Sequence, residues 1–128
     1  MTDTISFEGQ TPREFLTTAL SAQFPGWLVV PSERVPDTLD RPALVIKQRS
    51  IQPHEAAPLS HYNVGFYVTV VDDHTDFQFA EDALDTNVLL VWTFMSASKA
   101  ITPKTATKAL FNSYMSYDIE ADLMVQKG

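Results

Sequence analysis

A short segment near the middle of the chain, Asp72-Asp73-His74-Thr75-Asp76, holds the residue types most able to do chemistry. Three carboxylates and an imidazole can bind Mg²⁺ or a transition-metal ion, so the segment could be the centre of a small metal-dependent hydrolase. The segment follows an alternating strand pattern, however, and adjacent strand residues point to opposite faces. Aspartate and threonine are also common in turns and helix caps. We therefore expect a solvated turn with a helix cap, and no bound metal.

Other catalytic patterns are absent from the sequence. The chain has no cysteine, which excludes disulfides, thiol catalysis and cysteine-ligated zinc. His54 and His61 lack a metal-binding spacing, no serine lies in a GxSxG motif, and the four glycines do not form a phosphate-binding loop. The sequence predicts no catalytic residue, no cofactor and a protein that is not an enzyme.

The composition indicates a single acidic domain. The 128 residues, 45% of them apolar, suit one domain with one core. Nine Lys and Arg against 16 Asp and Glu leave a net charge of −7, which argues against nucleic-acid binding through phosphates. Apolar runs such as 88–92 are far shorter than the roughly 20 residues of a membrane span. Residues 1–10 do not resemble a targeting peptide. We expect a soluble protein of a cytoplasm, with neither a sequence-specific nucleic-acid partner nor a membrane partner.

Opposite charges are concentrated in separate stretches of the chain. Residues 72–85 carry six acids and no base, whereas residues 99–108 carry three lysines and no acid. Such stretches can bind head to tail between copies of a small domain. Alternatively, they are solvated faces. Under the first interpretation, the subunit interface comprises Asp72, Asp73, Asp76, Glu81, Asp82, Asp85, Lys99, Lys104 and Lys108.

The first predicted element is a helix. Thr11 and Glu14 have the spacing of a capping box, and Pro12 suits the first helical position. Apolar residues then recur every three or four positions until Pro25-Gly26 ends the pattern. Residues 1–10, which precede this helix, are expected to be a flexible arm of the single domain that spans 1–128.

Three strands are predicted after this helix. A short apolar run over 27–30 precedes a proline-rich segment, 31–42, which we expect to be an exposed loop. The pattern predicts a strand over 43–51 and a connection over 52–58. Apolar and polar residues alternate strictly over 61–70, which is typical of an antiparallel strand buried on one face only.

The second half predicts a long helix and one or two strands. Thr75 is expected to cap the helix. Residues 87–95 of this helix are apolar on most sides, as expected if both the sheet and a neighbour cover them. Residues 96–107 are expected to be a loop, and the alternation over 109–125 is too long for one strand, so it should break near 112–116. The buried stripe of the helix is predicted to comprise Phe77, Ala80, Leu84, Val88, Val91, Trp92 and Met95.

The expected fold is therefore α+β. Two helices should pack on an antiparallel or mixed sheet of four to five strands, in the order α-β-β-β-α-β(β). The first helix ends in Phe24-Pro25-Gly26-Trp27, a strand over 62–71 runs into an aspartate-rich helix start, and the C-terminal strand is rich in Tyr, Asp and Glu. In this element order and in these residue patterns, the chain resembles, over most of its length, the tail-terminator (minor tail or tail-completion) proteins of long-tailed bacteriophages.

This resemblance implies a virion structural protein that forms a ring, typically a hexamer. The ring would cap the finished tail tube and join it to the head–tail connector. Its partners would be further copies of itself, the tail tube protein and the connector protein. The protein would belong to the virion tail after assembly in the host cytoplasm, and its acidity would repel the DNA that passes through the ring. Loop residues that could contact these partners are Arg34, Asp37, Arg41, Gln52, His54 and Glu55.

Three other functions remain alternatives at this point. A different phage neck component, such as a head–tail connector or stopper, would have a similar size and acidity. A small metal-dependent hydrolase would use the segment 72–76. An α+β module that binds a small ligand would have a deep pocket between the strand face and the second helix.

Overall fold

Two helices and six strands make up the described part of the chain. The computed structural model describes residues 5–6, 11–31, 38–54, 56, 60–111 and 113–126. After the two-residue first strand, the element order is the predicted α-β-β-β-α-β-β. The elements are β1 (Ile5–Ser6), α1 (Pro12–Gln23), β2 (Leu28–Val30), β3 (Ala43–Pro53), β4 (His61–Val71), α2 (Phe77–Ala97), β5 (Ile101–Phe111) and β6 (Tyr114–Gln126).

The strands form one mixed sheet in the order β2-β3-β4-β6-β5. The β1/β6 and β2/β3 pairs are parallel, and the other pairs are antiparallel. The α+β class and the mixed sheet are thus confirmed. Ile5 and Ser6 of β1 pair with the end of β6, so these two residues belong to the sheet and not to a free arm. The rest of residues 1–10 lies outside the described residues.

Helix α1 begins as the sequence predicts. The Thr11 hydroxyl accepts a hydrogen bond from the Glu14 backbone N–H at 3.2 Å, and Pro12 occupies the first turn. Leu16 and Leu20 lie four positions apart on one face and are buried in the main core. Because the helix is short, this burial stabilises it more than intrinsic propensity does.

Helix α2 is 21 residues long, and its cap differs from the prediction. The N-cap is Asp76 and not Thr75, because the Asp76 side chain accepts a hydrogen bond from the Gln78 backbone N–H at 2.9 Å. The capping oxygen satisfies one of the N–H groups that have no partner within the helix. Within the described residues, no helix is both long and apolar enough to cross a membrane.

The buried face of α2 is close to the predicted stripe. Trp92 is half-buried against the main core. Phe77 was predicted to be buried, but it is 62% exposed. The residues from His74 to Phe79 are all exposed, so the first turn of α2 extends past the core. The buried residues of the helix are Ala80, Leu84, Val88, Val91 and Met95.

Strand β3 is longer than predicted, and strand β4 is more buried than predicted. β3 continues to Pro53, two residues into the predicted connection, because Gln52 and Pro53 pair with Asn63 and Tyr62 of β4. A proline is tolerated at the end of a strand like this one. The second half of β4 is buried on both faces, so the prediction of one buried face is wrong there.

The end of the chain is a long β-hairpin. Its alternating pattern is divided into two strands, because β5 ends at Phe111 and β6 begins at Tyr114, which confirms the predicted break. The prediction of a loop over 96–107 is wrong, because α2 continues to Ala97 and β5 begins at Ile101. β5 lies on the side of β6 away from β4, and such an edge position accommodates Pro103 and the irregular pairing beside it.

The helices cover one face of the sheet, where most of the core lies. Leu16 of α1 and Leu84 of α2 share this core with Phe66 of β4. A smaller cluster on the other face includes Leu39 and Tyr114. Leu39 is buried although it lies in the predicted exposed loop, and its backbone N–H donates a hydrogen bond to the Tyr114 hydroxyl at 3.0 Å.

Candidate functional site

The acidic segment lies between β4 and α2, as predicted, but one of its side chains is deeply buried. Asp72 directly follows β4 and is 1% exposed. Its backbone N–H donates to the Met115 carbonyl at 3.0 Å, which fixes it beside β6. Asp73 is half-buried, whereas His74 and Asp76 are exposed. The prediction of a solvated turn is therefore wrong for Asp72.

Hydrogen bonds within this turn involve one oxygen of Asp72. The Oδ2 atom accepts a hydrogen bond from the His74 backbone N–H at 2.8 Å, and the His74 Nδ1 lies 2.9 Å from the same oxygen. The Asp73 Oδ1 lies 3.7 Å from Nδ1. The hydrogen bond to Asp72, followed by its negative charge, raises the pKa of His74 above 6.5.

The three side chains are close enough together to hold one cation. One ligand atom from each of Asp72, Asp73 and His74 lies within 4.8 Å of the others. However, Asp72 Oδ2 is already bonded twice to His74, and Asp72 Oδ1 is buried without a partner among the described residues. Asp76 caps α2 instead of joining the group. This geometry fits a hydrogen-bonded turn at the start of α2 better than an open metal centre.

Two of the three lysines in the basic stretch bind acids of their own chain. Lys108 Nζ lies 3.2 Å from Glu81 Oε1, and this hydrogen bond raises the pKa of Lys108. Lys104 Nζ lies 2.9 Å from Asp122 Oδ2. Within one copy of the chain, Lys108 therefore neutralises one acid of the acidic stretch, and Lys104 neutralises one acid of β6.

Three charged side chains of these stretches remain available to bind another molecule. Asp82 and Asp85 are exposed on α2, and Lys99 is exposed just after its end. Within the ranges that the structure describes, these three side chains make no ion pair. They are the members of the predicted interface that can still bind opposite charges of another molecule.

Of the predicted partner-contact residues that the structure describes, Arg41 lies at the opposite end of β3 from Gln52 and His54. Arg41 lies 4.0 Å from the exposed Asp40 carboxylate. Gln52 belongs to β3 and not to a loop, and His54 bonds to the His61 carbonyl through its backbone N–H at 3.0 Å. The other three predicted contacts lie outside the described residues; these are Arg34, Asp37 and Glu55.

The sheet face away from the helices is polar over part of its area. Asp118 accepts a hydrogen bond from the Thr69 hydroxyl at 2.6 Å and lies 3.9 Å from Lys47 Nζ. Arg49 lies over the Tyr67 ring, 5.7 Å from its centroid. A shallow pocket of about 200 Å³ on this face is lined by charged residues of both signs. This balance of charges does not select a ligand.

An apolar groove lies between α1 and α2. Its volume is about 650 Å³, and Phe24, the residue directly after α1, lines one side. Leu89 and Leu90 on the α2 side are 65% and 50% exposed. The sequence indicated this face, because residues 87–95 are apolar on most sides and predicted a covering neighbour. The contribution of α1 was not predictable from helical spacing within α2.

The groove does not have the form of a ligand-binding pocket. It is open to solvent and lies between the helices, whereas the space between α2 and β4 is filled by buried Leu84 and Phe66. The described residues therefore lack the deep strand–helix pocket of a small-ligand module. No family model and no curated protein sequence matches this chain.

Proposed function

We propose that this chain is a virion structural protein, a ring-forming tail terminator that caps the tail tube and joins it to the head–tail connector. The observation that carries the proposal is the architecture: two helices on one face of a mixed sheet, in the order α-β-β-β-α-β-β after β1. The order is the one predicted from the sequence, and the resemblance to the tail-terminator family rests on element order. The proposal assigns no catalytic role to any residue.

The two free edges of the sheet support head-to-tail assembly. Among the described residues, no strand pairs with the outer side of β5, and β2 covers β3 only at Ala43–Val45. The free edges differ, and β5 runs antiparallel to β3. If copies stand side by side, β5 of one can therefore extend the sheet of the next through β3. Different edges give a heterologous contact, which a ring requires.

The charges beside these edges do not oppose such pairing strongly. Lys104 and Lys108 on β5 bind acids of their own chain, and Lys47 on β3 lies 3.9 Å from Asp118. Pro103 and the irregularity beside it leave residues 105–111 as the regular part of the β5 edge. The net charge of −7 favours a ring that does not retain duplex DNA.

The decisive experiment is assembly with the tail tube protein. The chain and the tube protein of the same virus are produced together and imaged by electron microscopy, while mass photometry gives the number of copies. We expect an annulus of about six copies at one end of each tube. Particles that remain single copies at every concentration, with and without tubes, would end the proposal. Binding to the portal complex instead of the tube would favour the connector or stopper alternative.

The close spacing of Asp72, Asp73 and His74 is the one observation that favours the metal-dependent hydrolase. Calorimetric titration with Mg²⁺, Mn²⁺ and Zn²⁺ separates this alternative from the structural role. We expect no binding heat at millimolar metal, because the Asp72 carboxylate is buried and already bonded to His74. Saturable binding that Asp73→Asn removes would restore the hydrolase alternative.

A further inference from the structure

The shallow pocket on the sheet face away from the helices lies around a glycine in the interior of β4. This residue, Gly65, lines the cavity, which we call the Gly65 pocket. A Cβ atom at position 65 would come too close to the Ser50 hydroxyl oxygen and would lie 3.7 Å from Asp122 Oδ1. Glycine inside a strand often marks a place where another group approaches closely. Here the glycine keeps the space between Ser50 and Asp122 open.

Two irregularities in the sheet direct basic side chains toward the same pocket. The pairing of β3 with β4 skips Arg49, and the pairing of β5 with β6 skips Lys104. A bulge places an extra residue in one strand and re-aims its side chain, and bulges are common beside functional sites. Both skipped residues line the Gly65 pocket, although β3 and β5 lie on opposite sides of it. Two separate irregularities therefore supply one basic residue each to one cavity.

The charges that line the Gly65 pocket balance. Its two cations are Arg49 and Lys104, and its two anions are Glu120 and Asp122. Lys104 Nζ lies 2.9 Å from Asp122 Oδ2, so opposite charges are already adjacent. A charged ligand would therefore meet a like charge beside each opposite charge. An uncharged ligand avoids this repulsion.

Polar side chains of the pocket have unused hydrogen-bonding capacity. Asn63 and Glu120 are half-buried, yet their side chains make no hydrogen bond or ion pair within the residues that the structure describes. A carboxylate only accepts hydrogen bonds, an ammonium group only donates them, and an amide does both. A hydroxyl group also donates and accepts, so a ligand rich in hydroxyls can bond to all of these groups at once.

The size of the cavity indicates a small ligand with room for a second unit. The Gly65 pocket, at about 200 Å³, is smaller than the roughly 300–1,000 Å³ that drug-sized ligands occupy. A neighbouring cavity of about 270 Å³ shares Asn63 and Asp122 with it and extends toward His54 and Met124. The two cavities together form a polar groove along the first half of β4, which fits two small linked rings.

We propose that the Gly65 pocket binds an uncharged, hydroxyl-rich ligand of the chemical class of a monosaccharide or disaccharide. One ring occupies the Gly65 pocket, where the Glu120 carboxylate accepts hydrogen bonds from its hydroxyls. A second ring lies beyond Asn63, in the neighbouring cavity. This activity goes beyond the proposed structural role and does not depend on it, because the pocket lies on the sheet face and not at the free edges. The pocket is shallow, so we expect a dissociation constant of about 1 mM.

Saturation-transfer NMR with neutral disaccharides tests the proposal. The probes are maltose, cellobiose, lactose, sucrose and trehalose, each at about 20 mM, and the charged probes are glycine and inorganic phosphate at the same concentration. We expect saturable transfer to at least one disaccharide and weaker or no transfer to the charged probes. No transfer to any disaccharide would overturn the proposal, and stronger binding of a charged probe would overturn the assignment of an uncharged ligand.

A matched pair of asparagine variants locates the binding. Asn63→Ala removes an amide where the two cavities join, and Asn87→Ala removes a half-buried amide from α2, outside both cavities. Melting curves establish that each variant is folded. We expect Asn63→Ala to raise the dissociation constant about fivefold or more, and Asn87→Ala to change it by less than about twofold. Equal effects would place the ligand elsewhere and overturn the proposal.

A second comparison separates loss of binding from loss of folding. Adding Gly65→Ala to a Ser50→Ala variant places a methyl group in the Gly65 pocket, where the serine hydroxyl no longer collides with it. We expect the double variant to be at least as stable as Ser50→Ala and to bind the disaccharide about fivefold more weakly. Unchanged affinity would show that the ligand does not use the space above Gly65 and would overturn the proposal. None of these results depends on whether the chain caps a tail tube.

Discussion

Asp72 is a buried carboxylate whose bonds come from its own turn. His74 supplies a backbone N–H at 2.8 Å and a ring nitrogen at 2.9 Å, and the Asp72 backbone N–H is held by Met115. Removing the imidazole leaves the buried carboxylate with one hydrogen-bond donor fewer. This change lowers the free energy of unfolding more than the loss of an exposed hydrogen bond does. At the scale of single residues, this turn therefore determines how the chain passes from β4 into α2.

The stability provided by His74 should depend on pH. Its folded pKa is raised above 6.5 by the hydrogen bond to Asp72, so its contribution is fully present below pH 6.5 and is lost as pH rises through the folded pKa. We expect His74→Gln to lower the melting temperature at pH 5.5 more than at pH 8.5. The control is His61→Gln, because the His61 ring bonds to the exposed Ser60 hydroxyl and lies edge-on to the His54 ring, with 6.3 Å between the centroids. A loss that is equal at both pH values would contradict this.

Gly65 on β4 should be coupled to Ser50 on β3. A Cβ atom at position 65 would come too close to the Ser50 hydroxyl oxygen, whereas its next neighbour, Asp122 Oδ1, would be at an ordinary 3.7 Å. In a Ser50→Ala background, Gly65→Ala should stabilise by about 0.5–1 kcal/mol, because alanine loses less backbone entropy than glycine. In the native background the gain should be smaller or reversed. Denaturant melts of the four proteins test this, and additive effects would contradict the close approach.

At the scale of elements, the cap of α2 offers a direct comparison of adjacent residues. Asp76 accepts the hydrogen bond from Gln78, and Thr75 precedes the cap. We expect Asp76→Ala to lower the free energy of unfolding by about 1 kcal/mol, the usual value of such a cap. Thr75→Ala should change it by less than about 0.5 kcal/mol. Urea unfolding curves measure both changes. A larger loss of stability from Thr75→Ala than from Asp76→Ala would indicate that Thr75 is the cap.

The elements predicted correctly are those whose local pattern and tertiary position agree. Thr11 caps α1, and the stripe through Leu84 and Val91 faces the core, because helical spacing alone places those residues. Residues 101–107 of β5 were predicted to be a loop because Pro103 and Lys104 interrupt the strand pattern there. Its pairing with β6 is long-range, and no local signal in residues 96–107 reports it.

The candidate site was predictable only in part, for similar reasons. The position of the acidic turn between a strand and a helix follows from local sequence, but the burial of Asp72 depends on β6, more than 40 residues later. Spacing also could not show that Lys108 reaches Glu81, since β5 was not recognised as the neighbour of α2. Contacts between distant segments decide which charges remain available.

At the scale of the whole molecule, the charge that remains unpaired should make self-association depend on salt. Lys99, Asp82 and Asp85 are exposed without ion pairs in the described residues. Exposed charges are screened within about 10 Å at 0.1 M salt and within about 3 Å at 1 M. We expect weaker association at about 0.5 M than at about 0.05 M salt, measured by sedimentation. Lys99→Gln should reduce the difference, and an identical single copy at both salt concentrations would contradict it.

The hydrogen bond between the Leu39 N–H and the Tyr114 hydroxyl joins residues 75 positions apart. Leu39 lies outside every helix and strand, yet its amide hydrogen is sheltered as long as β6 stays in place. Deuterium uptake at this one amide should therefore be as slow as that of neighbouring strands, and Tyr114→Phe should speed it selectively. The exchange rate of this one amide, which lies in an irregular segment, would then report how often the hairpin of β5 and β6 opens.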